Sequence, residues 1–199
     1  MACLAMHLAI AEKYLEKNPN ENKEAFMIGA YLPDIEEDKI KSHYGIRMPI
    51  RCVKDMLDSK VDIIECAKNT DLNNDLSKAV FLHLTTDYLF YNFVYSPSLE
   101  TKTPEQIKNM MYQDFDFVTK HILSKYKINI PQKVNHIVKS KDGDINSEFF
   151  NTEQIDKFID LVSKLDLKDC KQQFLNDPKV LLNEFLEKMT MNSEKTQKL

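Results

Sequence analysis

The chain has 199 residues, 43% of them hydrophobic and 29% charged, with a formal net charge of -4. That apolar fraction excludes a disordered chain, no apolar run approaches the roughly 20 residues of a membrane span, and the slight acidity leaves no footprint for bulk nucleic-acid binding. With only three glycines, Gly29, Gly45 and Gly143, the glycine-rich phosphate loops of nucleotide-binding folds are excluded too.

Helical periodicity dominates in chain order. Residues 4–16 place Leu4, His7, Leu8, Ala11 and Leu15 on one helix face. A second helix over 23–31 carries Phe26, Met27, Ala30 and Tyr31, and Pro33 is expected to stop it. Residues 34–46 read as a loop, Pro49 opens a helix to about Ser59, and a short helix covers 61–68. Residues 73–95 are apolar almost all round, which predicts the central buried helix. Thr103 and Pro104 suit the N-cap and first position of a helix through Tyr126. The stretch 127–150 is irregular: KINIPQKV and INSEFF suit short strands, while Pro131 and Gly143 suit loop. Helices resume at 152–165, 168–176 and 178–190, and the tail from 191 to 199 frays.

The expected fold class is all-α, a single-domain multi-helix bundle over 1–199. Its first part, 1–95, holds the informative polar residues, and 96–190 completes the bundle. The opening residues carry no basic segment ahead of their apolar run, so no export signal is expected and the reading is cytoplasmic. Cys3, Cys52, Cys66 and Cys170 form no CxxC and read as reduced thiols.

His83 and Asp87, four apart in the most apolar helix, share one face and can converge on one metal ion. The same spacing suits a buried pair that bond each other. An ionised Asp in that setting needs a cation or several donors, which favours the metal. His7 lies in the apolar stripe of the first helix, where a packed core histidine is the alternative. Asp34 follows Pro33 in FMIGAYLPDI, and His43 lies in KSHYG.

The order of these residues resembles the zinc-dependent phospholipase C family, whose fold is shared with the single-strand-specific zinc nucleases. It runs from a His in the first helix to F-x-x-G-A-x-x-P-D, then a loop His, then H-x-x-x-D in a long apolar helix. The likeness covers residues 1–95. It implies an all-α fold, with His43, His83 and Asp87 on one zinc, His7 and Asp34 on a second, and Asp87 bridging. It further implies a bridging hydroxide as nucleophile, with Asp34 in a catalytic role, orienting or deprotonating that water. The family's remaining zinc uses a His six residues after the HxxxD aspartate and a later HxxxE. Here Phe93 holds the first position, and His121 and His136 are followed four residues on by Lys125 and Ser140, so that site is expected to be absent. One or two zinc ions are therefore expected, with manganese or iron also suited to such ligands. Cys3, four residues before His7, is a further candidate ligand beside ordinary packing.

Arg47 and Arg51 are the only arginines, one helical turn apart and just after His43. They read either as a phosphate clamp or as a solvated, salt-bridged face. Asp142, Asp144, Asn146, Glu148 and Glu153 roughly follow a calcium-loop spacing, but Ser147 stands where the sharp turn wants glycine, so a polar turn is expected. Tyr88, Phe90, Tyr91, Phe93 and Tyr95 read as core. No adjacent His-Asp pair, HExxH or GxSxG is present. The functional expectation is a metal-dependent hydrolase of a small phosphate ester or phosphodiester. The alternatives are a non-catalytic metal-binding or interaction module on the same fold, and a plain bundle with a chance likeness.

Overall fold

Side chains that take up the exposed N–H groups of a first turn set most of the helix starts. A computed structural model shows this for residues 2–46, 60–95, 97, 101–139, 147 and 150–191, the residues it describes. Helix α1 spans Leu4–Lys17. Helix α2, Lys23–Ile35, begins where the Asn22 side chain accepts from Ala25 N–H at 3.1 Å. Helices α3, Lys39–Ser42, and α4, Ile63–Asn69, start at Asp38 and Asp62 in the same way. Helix α5, Asp75–Phe90, starts at Asn74. Helix α6, Pro104–Lys125, has the reciprocal capping box Thr103/Gln106, and α7, Thr152–Val162, has the equivalent Asn151/Gln154. Helices α8, Leu167–Asn176, and α9, Pro178–Thr190, follow Asp166 and Asp177.

The result is an all-α bundle, as the periodicity predicts. Every residue of α1 from Leu4 to Ala11 is buried, and the helix packs against α2, α5, α6 and α7. Helix α5 is buried without interruption from Phe81 to Phe90. Its tightest partner is α2, at Gly29: a Cβ there would lie 2.4 Å from the Leu76 carbonyl oxygen and 2.7 Å from Ala79 Cβ. Only glycine permits that approach. Among the described residues no helix is long and apolar enough to cross a membrane.

Several elements differ from expectation. Helix α2 runs two residues past Pro33, because a proline in the last turn forfeits a single backbone bond. Its end is capped from outside: the Pro33 carbonyl accepts from Lys39 Nζ at 3.3 Å and Ser42 Oγ at 3.1 Å, and the Asp34 carbonyl also accepts from Lys39 Nζ. The expected loop 34–46 holds α3 and a strand, β1, Gly45–Ile46. This pairs antiparallel with β2, Lys60–Val61, with Gly45 opposite Val61. Tyr44, with φ of 48°, turns the chain between α3 and β1.

The expected helix over 73–95 is α only to Phe90, then widens to a π turn at Tyr91–Tyr95. There the Asn92 side-chain amide donates to the Tyr88 carbonyl at 2.7 Å, occupying the acceptor that an α-turn would use. Around KINIPQKV the chain forms a 3-10 turn at Gln132–Val134 rather than a strand. Of INSEFF, only Ser147 and Phe150 are described, and neither is in a strand. The helix expected over 49–59 and the tail from 192 lie outside the described residues.

Candidate metal centre

Four segments deliver the five predicted side chains to one buried point. Helix α1 carries His7. The last turn of α2 carries Asp34. His43 is the C-cap of α3, and α5 carries His83 and Asp87 one turn apart. His7, His43, His83 and Asp87 are essentially fully buried. The Asp34 side chain is 18% exposed, so of the five it is the one that meets solvent.

Asp87 sits at the middle, its two oxygens facing different histidines. Oδ1 is 3.2 Å from His7 Nε2, while Oδ2 is 3.5 Å from His43 Nε2 and 3.6 Å from His83 Nε2. Asp34 Oδ1 lies 3.6 Å from His43 Nε2 and 4.0 Å from His83 Nε2. The rings of His7 and His83 stack at 3.6 Å. Two sets, His7/His83/Asp87 and Asp34/His43/His83, each bring ligand atoms within 4.8 Å of one another, and both contain His83.

The hydrogen bonds behind the rings settle which nitrogen each presents. His83 Nδ1 is 2.8 Å from the Ala30 carbonyl, which can only accept, so Nδ1 carries the proton and donates. Ser42 Oγ lies 3.1 Å from the Pro33 carbonyl, 3.5 Å from that of Lys39 and 2.9 Å from His43 Nδ1, so when its proton goes to a carbonyl it accepts from Nδ1. In their neutral forms both rings aim a bare Nε2 at the cluster, the arrangement of metal-binding histidines. Asp87 Oδ1 accepts from the Ala2 amide at 2.6 Å.

Charge follows the same logic. Burial, then the neighbouring His83, push the His7 imidazole down, so it is neutral near pH 7. Burial also acts against a charged His83, but Asp34 and Asp87 outweigh it and its pKa is raised. Burial pushes the Asp34 carboxyl up, and His83 and His43 more than offset it, leaving it below its ordinary value. Asp87 behaves alike: burial raises it, and its surroundings, with His7 and His83 close by, more than offset that and hold it well below the usual range. Two charged carboxylates thus meet at one point, Asp87 buried and Asp34 on the side that faces solvent.

Whether a metal suits this donor set can be judged from the orphaned atoms. Nε2 of His7, His43 and His83 are buried, and no hydrogen-bond partner reaches them among the described residues. A buried polar atom left so costs on the order of 1–3 kcal/mol. Ligands held about 2.05 Å from one tetrahedral ion stand roughly 3.3 Å apart, close to the 3.2–3.6 Å separations around Asp87. Imidazole nitrogens and carboxylate oxygens are the donor types zinc takes. The five residues fit a divalent ion.

Models of known protein families, curated proteins and solved structures include none that matches this chain.

The other predicted positions divide. Cys3 N-caps α1 with a buried thiol, which burial pushes up to about 11 despite a hydrogen bond with Thr119. It belongs to neither ligand set and packs as core; Cys66 and Cys170 are likewise buried free thiols. Phe93 packs against Phe150 and Phe185. His121 is occupied with Asp156 at 2.8 Å, and His136 is exposed. Arg47, Arg51 and Cys52 lie outside the described residues, as do Asp142, Asp144, Asn146 and Glu148. Ser147 donates to buried Asp114 and accepts from Phe150 N–H, and Glu153 is exposed in the first turn of α7. The Ala30 carbonyl and Ala2 amide carry no side-chain signature that sequence reasoning could find. Ser42 left only the faint sign of a hydroxyl residue beside His43.

Proposed function

We propose that this chain is a divalent-metal phosphoesterase of the kind its motif order resembles, the zinc-dependent phospholipase C family. His7, Asp34, His43, His83 and Asp87 would hold one or two zinc ions. The observation that carries the reading is the convergence of three buried Nε2 atoms, none with a hydrogen-bond partner among the described residues, on two carboxylates. The split of Asp87 between His7 on one oxygen and His43 and His83 on the other suits the bridging role that the resemblance implies, whereas Asp34 groups with His43 and His83 rather than with His7 as the resemblance has it.

Divalent zinc bound there supplies Lewis-acid polarisation of a phosphoryl oxygen and a water of lowered pKa. The chain's own groups do the rest. Ala30 and Ser42 orient two imidazoles, and the Ala2 amide steadies Asp87. Asp34 lines a cleft of about 410 Å³, so its carboxylate can take a proton from a water approaching a phosphate ester there.

The competing reading is a metal-binding module without turnover, and the observation favouring it is Phe93 packed into apolar surroundings where the family has a ligand. Metal content measured on purified protein, with His83→Ala and Asp87→Ala beside it, tests the centre. Near-stoichiometric zinc in the wild type, lost in both variants, is expected. No bound metal at micromolar free zinc sinks the proposal. Stoichiometric zinc without hydrolysis of generic phosphodiesters selects the module.

A further inference from the structure

The cleft that opens on Asp34 is walled by the start of α1, by Tyr112, Phe115 and Thr119 of α6, and by residues 137–139. Among the described residues, its charged side chains besides Asp34 are Lys39, Lys139 and Asp116. Lys39 differs from the exposed Lys139 in being half-buried and tethered. Its ammonium donates to the carbonyls of Pro33 and Asp34, the latter the backbone of the solvent-facing ligand itself. An ammonium has three donors, so two are spent and one is left for the cleft. Because the stem is already ordered, an anion that meets this group incurs little further entropy. With one divalent ion bound, the two carboxylates leave no net charge in the ligand set, and Lys39 then supplies the positive charge beside it.

We propose that Lys39 is the phosphate-recognition residue of this centre, receiving the phosphoryl oxygens that the metal does not hold. The inference rests on the proposed metal site and adds a residue to it. It gives an anion-binding role to a lysine whose position depends on the end of α2, beside the Arg47/Arg51 pair suggested by the sequence, which lies outside the described residues. Lys39 both braces Asp34 and recognises the substrate phosphate, so loss of its charge and loss of its carbonyl bonds have separable effects.

The test is calorimetric titration of inorganic phosphate into the zinc-loaded full chain. Lys39→Gln removes the charge and keeps an amide donor for the carbonyls. Lys39→Met keeps only the stem, Lys39→Arg keeps the charge, and Lys139→Gln is the control across the cleft. Lys39→Gln and Lys39→Met should weaken phosphate binding at least about tenfold, the loss of one charge-assisted hydrogen bond, with zinc stoichiometry unchanged. Lys39→Arg should stay near wild type. Added salt should weaken wild-type binding more than Lys39→Gln binding.

Unchanged phosphate affinity in Lys39→Gln and Lys39→Met overturns the proposal. So does a loss that falls on Lys139→Gln instead, or a zinc-loaded wild type that binds no phosphate. Phosphate binding that needs no zinc yet disappears in Lys39→Gln would keep the role of Lys39 and overturn the metal reading alone.

Discussion

Ser42 shows how one small side chain decides the chemistry of its neighbour. With its hydroxyl proton on a backbone carbonyl, its lone pair faces His43 Nδ1 and selects the tautomer that leaves Nε2 bare for a metal. Ser42→Ala removes that acceptor without touching a proposed ligand. Zinc affinity should fall about 10–100-fold, the usual effect of losing a partner behind a metal-bound histidine. The unfolding midpoint of the metal-free protein should hardly move. Competition against a chromophoric chelator reads the affinity, and an unchanged value would mean that His43 is oriented by packing alone. His83 needs no such side chain, since the Ala30 carbonyl serves it. Gly29 brings α2 close enough to α5 for that bond to form. This is why a glycine in FMIGAYLPD could be read as part of a motif, while the carbonyl one residue later, which does the orienting, could not.

Between elements, the join of α6 to α7 turns on Asp156. Its carboxylate accepts from His121 Nε2 at 2.8 Å, Lys125 Nζ at 2.6 Å and Tyr126 hydroxyl at 2.7 Å. Burial alone would raise this carboxyl, but its bonds to Lys125, His121 and Tyr126 outweigh it and leave the pKa lowered. A carboxylate depressed in the folded state contributes stability above its unfolded pKa of about 4 and loses it as pH falls through the lower folded value. Asp156→Asn should therefore destabilise the protein at neutral pH by about 1 kcal/mol, a modest figure because the group is partly solvated. The gap between wild type and variant should close below pH 4. Urea unfolding across pH 2–7 measures it, and a gap that persists in acid would put the effect in packing rather than charge. The helices themselves were legible from the 3.6-residue apolar repeat and from Thr103-Pro104, because those signals act locally. The π turn at Tyr91–Tyr95 was not, since it depends on which donor wins the Tyr88 carbonyl. Nor was the short pairing of Gly45–Ile46 with Lys60–Val61, which the intervening sequence does not announce.

At the scale of the whole molecule, all five candidate ligands lie in the first 87 residues, yet α6 and α7 complete the burial of α1. That division explains what could be read in advance. The spacing of His7, Asp34, His43, His83 and Asp87 is a one-dimensional pattern and survives in the sequence, whereas the cleft wall from α6 and residues 137–139 exists only once distant helices meet. It also gives metal binding a consequence for stability. The two charged carboxylates and three buried Nε2 atoms meet only in the folded chain, so zinc should bind that state far better than the unfolded one. Free zinc at 100 times its dissociation constant then adds about 2.7 kcal/mol, which for a domain of this length corresponds to a rise of roughly 5–10 °C in the unfolding midpoint. Thermal scans with and without zinc should show that rise in the wild type, its reversal by chelator, and little of it in Asp87→Ala. A midpoint that zinc leaves unmoved would mean that the buried cluster is stabilised by its own protons and hydrogen bonds, and that the orphaned Nε2 atoms are a tolerated cost of the fold rather than ligands.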